Sequence, residues 1–196
     1  HARIERAERV LEDELQALGA RLGSAEVADW ARLANAFPPQ LRNFDRSGRR
    51  IDEVEFHPAW HEIMRLMIGA GVHADPWAGP TPGAQVARAA KYLLFSQVEN
   101  GAQCPVTMTY AVVPVMQRQA ADVPGIARDW MPRILSHNYD PASTPIGGKR
   151  GALLGMGMTE KQGGTDVRSN MTRADRDGDA YRITGHKWFM SAPMCD

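Results

Sequence analysis

The stretch GALLGMGMTEKQGGTDVRSN, residues 151–170, has the glycine content of a ligand-binding loop. Glycine-rich loops cradle phosphates when their glycines follow a fixed spacing. A dinucleotide-binding fingerprint that begins at Gly155 finds its second glycine at Gly157 but has Glu160 at the third position. A P-loop that begins at Gly157 has Gln162 where its second glycine is required. Both nucleotide loops are therefore excluded.

A short apolar segment followed by a polar turn is what remains of this stretch. The adjacent Gly163 and Gly164 allow a close backbone approach or a positive φ, and Thr159 and Thr165 offer hydroxyl groups beside them. Such a turn can present N–H groups to a heteroaromatic ring or to a phosphate. The residues alone leave two interpretations open, a ligand loop and a tight structural turn.

The segment GHKWFMSAP further along the chain combines aromatic bulk with a hydroxyl group. Trp188 and Phe189 could stack on a flat ligand while Ser191 bonds its edge, and Met156 and Met158 beside the glycines could cushion the same ligand. The alternative is a hydrophobic strand in a β-core. Both interpretations stay open at this point.

Other reaction chemistries have little support. His57 and His61 are four residues apart, but the order HPAWHE differs from a zinc-binding motif, so a helix cap, core or surface role is expected. His186 is expected to be packed or hydrogen-bonded. Asp175 and Asp177 fall in a solvated turn, and no nucleophile elbow occurs. We expect no metal site and assign no catalytic residue.

Composition limits the environment and the partners. The 23 basic residues balance the 23 acidic ones, which gives no global electrostatic reason to bind nucleic acid or an anionic membrane. Cys104 and Cys195 are far apart and lack metal-ligand spacing, which favours a reducing compartment. Without an apolar run of roughly 18 residues, no membrane span is expected. We therefore expect a cytoplasmic protein.

The apolar pattern predicts six helices, over residues 4–22, 24–37, 58–68, 84–100, 104–117 and 124–137. Length favours a helix over residues 104–117, but its β-branched residues leave a strand open as the alternative. Gly23 is a plausible stop, Ser24 a cap and Pro58 a first-turn residue, whereas Pro114 should kink the fifth helix. Methionines at helical spacing, Met64, Met67, Met108 and Met116, are expected to fill the core.

The remaining segments are predicted to be loops and strands. Residues 40–57 are expected to form an irregular connection whose turn lies at residues 45–48. Extended segments are expected over residues 152–158, 167–174 and 180–190, the last two joined by a hairpin-type turn over residues 175–179.

Helices followed by strands predict a mainly α protein with a β segment. We expect an N-terminal helical domain over residues 1–148 and the truncated beginning of a β-domain over residues 149–196. The chain lacks an initial methionine and stops just after a strand-like segment, so we expect a fragment of a longer protein.

Two segments carry a family resemblance. Met158-Thr159-Glu160 through Gly164-Thr165-Asp166 resembles the first flavin-binding signature of acyl-CoA dehydrogenases, and GHKWFMSAP resembles the second. Further stretches narrow the resemblance to the AidB-type subgroup, associated with the adaptive response to alkylation damage: LANAFPPQLRNFD, FHPAWHEIM, CPVTMTYA and KRGALLGMGMTEKQGGTDV. The likeness covers almost the whole chain.

The resemblance implies an acyl-CoA dehydrogenase-like fold, with a helical domain before a middle β-barrel domain, and FAD as the cofactor. It implies backbone and hydroxyl contacts to the flavin from Met156, Gly157, Met158, Thr159, Glu160, Lys161, Gln162, Gly163, Gly164 and Thr165. Phe189, Met190 and Ser191 would lie along the ring, with the Ser191 hydroxyl near its redox-active nitrogen. Thr165 would also contact acyl-CoA.

Three departures bear on activity: Lys161 replaces the usual proline, Phe189 a common tryptophan and Ser191 a threonine. In the family the catalytic glutamate belongs to a C-terminal domain that this sequence does not include. We therefore expect an FAD-binding oxidoreductase, as a homotetramer, whose acyl-CoA oxidation belongs to the intact protein. The alternative is a DNA-binding protective protein on the same scaffold, binding DNA through the absent C-terminal region.

Overall fold

The computed structural model describes residues 2–191, with side chains from residue 9 onward. The helices are α1 (Ala2–Leu22), α2 (Ala25–Ala36), α3 (Pro58–Gly69), α4 (Asp75–Ala78), α5 (Ala84–Ser96), α6 (Gln103–Gln119) and α7 (Met131–Ile134). The strands are β1 (Gln40–Phe44), β2 (Arg50–Glu55), β3 (Arg173–Asp177) and β4 (Ala180–Thr184). They form two separate antiparallel hairpins, β1–β2 and β3–β4. The mainly α prediction with a later β segment is confirmed.

Local signals define the first three helix boundaries. Helix α1 ends before Gly23, and the Ser24 hydroxyl accepts a hydrogen bond from the Val27 N–H at 3.3 Å to cap α2. His57 caps α3, because its Nδ1 accepts from the Ala59 N–H at 3.1 Å, and Pro58 occupies the first turn. These boundaries confirm the sequence predictions, and His57 has a capping role, which is one of the three roles expected for it.

Helix α6 passes through Pro114 without ending. Proline has no N–H to donate to the carbonyl four residues earlier, which here belongs to Tyr110. The Trp77 indole N–H donates to that carbonyl at 2.9 Å. A side chain from α4 therefore supplies the hydrogen bond that the helix interior lacks.

The helices share an apolar core. Its largest cluster lies between α1, α2, α3, α5 and α6 and contains Leu22, Val27, Ala31, Ile63, Met64, Met67, Ile68, Val72, Phe95, Ala102 and Val106. A second cluster contains Ala74, Val113, Ile134 and Ala152. Met64, Met67 and Met108 are buried, and Met116 packs against the second cluster, as predicted.

The prediction of an irregular connection over residues 40–57 is wrong, because β1 and β2 form a hairpin there. Both strands lie at the surface and lack the apolar alternation that predicts a strand. Backbone pairing and the Arg42–Glu55 ion pair at 2.9 Å join them. The predicted turn is confirmed: the Gly48 N–H donates to the Asp45 carbonyl at 3.0 Å, and Gly48 has a φ of 78°.

Four further segments differ from their predictions. The helix predicted over residues 124–137 is present over residues 124–134, but it contains a π-helical turn (Ile126–Trp130) before α7 and ends three residues early. Residues 152–158 carry no strand, and the segment 167–174 opens with a 3₁₀ turn (Val167–Ser169). Strand β4 ends at Thr184 instead of residue 190, although the turn at Gly178 is confirmed by a φ of 64°.

Candidate functional site

The glycine segment (residues 151–165) and the aromatic segment (residues 185–191) run antiparallel beside each other. The Trp188 N–H donates to the Thr159 carbonyl at 3.1 Å, and Glu160 forms an isolated β-bridge with Lys187. In the same register, Gly157 faces Met190, so closely that a Cβ on Gly157 would lie 2.7 Å from the Met190 sulfur. The fold thus brings together the two segments that the sequence proposed as ligand-binding.

Glu160 lies at the centre of this arrangement and is only 2% exposed. Its carboxylate accepts hydrogen bonds from the Met171 N–H at 2.7 Å, the Thr172 N–H at 3.0 Å and the Thr172 hydroxyl at 2.6 Å. Gln162 Nε2 donates at 2.6 Å, and the Lys187 ammonium lies at 3.0 Å. The Thr172 hydroxyl, followed by the Met171 N–H, holds the pKa of Glu160 well below its usual range.

Gly163 and Gly164 form a tight turn. Glu160 and Gly163 exchange two backbone hydrogen bonds, each 3.1 Å long. Neither glycine has a positive φ. A Cβ on Gly164 would lie 3.1 Å from the Thr159 methyl carbon, so close approach is what this position requires. The turn brings Gly164 next to the Thr159 side chain, and Thr165 follows at the exposed surface.

Large apolar side chains are exposed along both segments: Met156, Met158, Trp188, Phe189 and Met190. Trp188 and Phe189 are 63% and 66% exposed and belong to no strand, so among the described residues they form no β-core, which was the alternative that the sequence left open. His186 meets Trp188 edge to face at 6.1 Å, in keeping with its expected packing role. An apolar surface beside a close glycine turn fits a flat heteroaromatic group such as a flavin.

Helix α6 fixes the start of the glycine segment. The Thr109 side chain is fully buried, and its hydroxyl accepts a hydrogen bond from the Leu154 N–H at 3.0 Å. The same hydroxyl donates to the Pro105 carbonyl at 2.9 Å within the helix. Because one hydroxyl serves both elements, the apolar run that precedes the glycines is tied to the helical core.

A cavity of about 1300 Å³ opens beside Ser191. Its walls come from the end of α2, the β1–β2 hairpin, the starts of α3 and α6, and residues 139–149, and its aromatic lining is Phe37, Phe56, Trp60 and Tyr139. The His61 Nδ1 and the Tyr139 hydroxyl lie 2.8 Å apart in this wall. This cavity was not predicted from the sequence, although the aromatic spacing from Phe56 to Trp60 was a visible signal.

No metal centre forms within the described residues, where no three potential metal ligands cluster. Three residues that shape the site through their hydrogen bonds were not predicted from the sequence: Thr109, Thr172 and Lys187. Lys187 stood next to the aromatic pair in the sequence, but Thr172 offered no local signal.

Over the part of the chain that the structure describes, no helix combines the length and apolarity of a membrane span.

Comparison with protein families gives one match along the helical region. The family model for the adaptive response protein AidB N-terminal domain matches residues 1–141. The AidB protein of Escherichia coli (strain K12) is 49% identical over 187 residues, which are 94% of this chain and 34% of that protein. Acyl-CoA dehydrogenase family member 11 of Caenorhabditis elegans is 29% identical over 195 residues, covering 93% of this chain and 29% of that protein.

Two solved structures share the fold. The crystal structure of Caenorhabditis elegans ACDH-11 in complex with C11-CoA has a TM-score of 0.76 and 26% identity, covering 96% of this chain and 32% of the other. The apo-form of Bd2924 has a TM-score of 0.78 and 27% identity, covering 97% of this chain and 37% of the other. The chain spans about a third of the length of the relatives it matches.

Proposed function

The chain belongs to the AidB N-terminal domain family and is acyl-CoA dehydrogenase-like, and from this premise we propose that it forms part of an FAD-binding oxidoreductase acting on acyl-CoA. The observation that carries the proposal is the antiparallel placement of residues 156–160 beside residues 187–190, with exposed apolar side chains along both. A flavin needs such a flat apolar contact together with hydrogen-bond donors at its polar edge.

The glycine segment would bind the polar edge of the flavin. Among the described residues, no partner accepts a hydrogen bond from the backbone N–H groups of Met158, Thr159 or Gly164, so these groups can serve as donors. The bound flavin would accept the hydride removed from the acyl group. Oriented N–H groups favour the negative charge that a reduced flavin carries, so this segment would also adjust the flavin's potential.

The aromatic segment would bind the ring itself. Phe189 and Met190 would cover apolar ring surface, and the Ser191 hydroxyl would bond a ring nitrogen from the edge of the cavity. An acyl-CoA substrate is supported by the ACDH-11 structure with C11-CoA, which aligns with 96% of this chain. Thr165, exposed after the glycine turn, would contact that substrate.

We extend the proposal to the organisation of the protein. The helical domain would span residues 1–148, and residues 149–196 would begin the middle β-domain. Assembly as a homotetramer and a cytoplasmic location stay predictions, as does DNA binding through a further region. The hydrogen bond from the Leu154 N–H to the Thr109 hydroxyl would then join the beginning of the second unit to the helical core.

Flavin titration of the complete natural protein that carries this chain tests the proposal. The expected result is a flavin absorbance band and saturable FAD binding, with Phe189→Ala weakening FAD affinity about tenfold through lost ring contact. Ile183→Ala is the matched control, since Ile183 is 74% exposed against 66% for Phe189 and lies outside both segments. A protein that takes up no FAD would refute the proposed function.

A further inference from the structure

We infer that Glu160 is a positioning residue whose carboxylate holds the two proposed flavin segments in register without itself touching the flavin. The inference rests on the proposed flavin function and adds a role that is distinct from ligand contact. Glu160 is the buried acid of this region, whereas Met158 before it and Lys161 after it are exposed. Its side chain therefore points away from the surface that the neighbouring residues present.

Three separate stretches of chain converge on this carboxylate. Gln162 belongs to the glycine turn, Met171 and Thr172 precede β3, and Lys187 belongs to the aromatic segment. Lys187 also donates to the Met158 carbonyl at 3.1 Å, so its ammonium bridges two residues of the opposite segment. Together these bonds fix the spacing between the glycine segment and the aromatic segment.

The Met158 carbonyl receives a second bond that closes the network. Asn170 Nδ2 donates to it at 2.9 Å, from the residue just before the two backbone N–H groups that bond Glu160. The 3₁₀ turn, the glycine segment and the aromatic segment are thus joined by side-chain hydrogen bonds around one buried group. A change at Glu160 is transmitted to both segments at once.

The chemistry of this position requires a carboxylate. An ionised carboxylate only accepts hydrogen bonds, and here it accepts from five donors. Glutamine would keep one oxygen and direct two N–H donors at groups that are themselves donors. Water cannot replace the lost bonds, because Glu160 is 2% exposed. Glu160→Gln should therefore loosen the register while changing the side-chain volume little.

The charges of the Glu160–Lys187 ion pair also predict the direction in which the reduction potential of the flavin should change in each variant. Glu160 neutralises the Lys187 ammonium, whose side chain is 26% exposed. Glu160→Gln leaves a positive charge beside the aromatic segment, which favours the anionic reduced flavin and raises its reduction potential. Lys187→Met leaves the negative charge and lowers the potential. A purely structural role would not shift the potential in opposite directions.

The experiment uses the complete natural protein that carries this chain, with Glu160→Gln, Lys187→Met and the control Asp175→Asn. Asp175 makes an ion pair of 2.8 Å with Arg173, but its side chain is 56% exposed. We expect FAD affinity to fall about tenfold in Glu160→Gln and to stay unchanged in Asp175→Asn. Hydrogen exchange at the Met171 and Thr172 amides should accelerate in Glu160→Gln alone among the three, since Lys187→Met keeps both backbone bonds.

The outcomes separate the inference from the proposed function. If the unmodified protein binds no FAD, both are refuted. If it binds FAD and Glu160→Gln binds equally well while the two amides exchange faster, the flavin proposal survives and the positioning role is refuted. If Glu160→Gln does not fold, Lys187→Met decides: a lowered flavin potential together with weakened FAD binding supports the role, and unchanged FAD binding contradicts it.

Discussion

The helical region and the glycine–aromatic region are stabilised in different ways. Between α1 and α6 the largest fully buried side chains are apolar, with Phe95, Ile63 and Met64 each 1% exposed. In the β3–β4 hairpin every residue is exposed, and the most enclosed side chain nearby is the carboxylate of Glu160. Apolar burial dominates in the first region, whereas directional hydrogen bonds dominate in the second.

This difference explains how a stable helical support can carry a surface of exposed apolar side chains. Apolar burial is non-directional and grows with area, so it fixes the helices as a unit. A hydrogen-bonded network fixes a few distances and leaves the apolar side chains around it exposed. Those exposed side chains are the ones that the proposed flavin would contact.

Removing a core side chain should lower the free energy of unfolding more than any other change predicted here. Phe95→Ala in the 196-residue chain should lower the free energy of unfolding by about 3–5 kcal/mol, because it leaves a cavity in the largest apolar cluster. Urea unfolding followed by circular dichroism measures this change. The matched substitution Ile183→Ala in β4 should cost less than about 0.5 kcal/mol, since that side chain is 74% exposed. Equal losses would contradict the contrast between the regions.

The free energy of unfolding should depend on pH through His73, a buried histidine between α3 and α4. His73 is 1% exposed, its Nε2–H donates to the Ser136 carbonyl at 3.0 Å, and its Nδ1 has no hydrogen-bond partner among the described residues. Burial lowers its pKa from 6.5 to about 4, opposed in part by the Ser136 hydrogen bond. The nearby charged groups are His137, whose ring lies 6.3 Å away and disfavours protonation, and Asp75, which favours it.

The sign of the pH effect follows from this lowered pKa. The unfolded chain binds a proton at His73 below about pH 6.5, whereas the folded chain resists it until about pH 4. Stability from this residue is therefore complete above pH 6.5 and falls by about 3 kcal/mol as the pH drops to 4. His73→Gln keeps a donor for Ser136 but does not titrate, so the difference between the two proteins should shrink across this window. A constant difference would refute the assignment.

The sequence predicted those features that depend on neighbouring residues. Ser24 and Pro58 define helix starts because a cap or a fixed φ acts within one turn. The hairpin formed by β1 and β2 was missed, because its strands are polar and exposed and its stability lies in pairing between strands. Apolar periodicity therefore predicted the helices, but it could not predict this hairpin.

The candidate site was predictable in its segments but not in its geometry. The resemblance identified the glycine and aromatic segments, yet it could not tell that the Glu160 side chain turns inward to residues 171–172 and 187. Those bonds join positions up to 27 residues apart, and the cavity beside Ser191 draws on elements even farther apart in the chain. Such contacts depend on packing between elements, for which a single sequence carries no local signal.

The smallest expected effect is that of breaking an exposed ion pair. The pair lies in the same region as the more enclosed Glu160–Lys187 pair. Asp175→Asn breaks the 2.8 Å pair with Arg173 on β3, where both side chains are more than half exposed. Water and salt screen such a pair, so the free energy of unfolding should change by less than about 0.5 kcal/mol. Urea unfolding at low and at high salt measures the change, which should shrink further as salt is added. A loss as large as that of Phe95→Ala would mean that exposed charge pairs stabilise this hairpin, and the contrast with the helical core would then have to be abandoned.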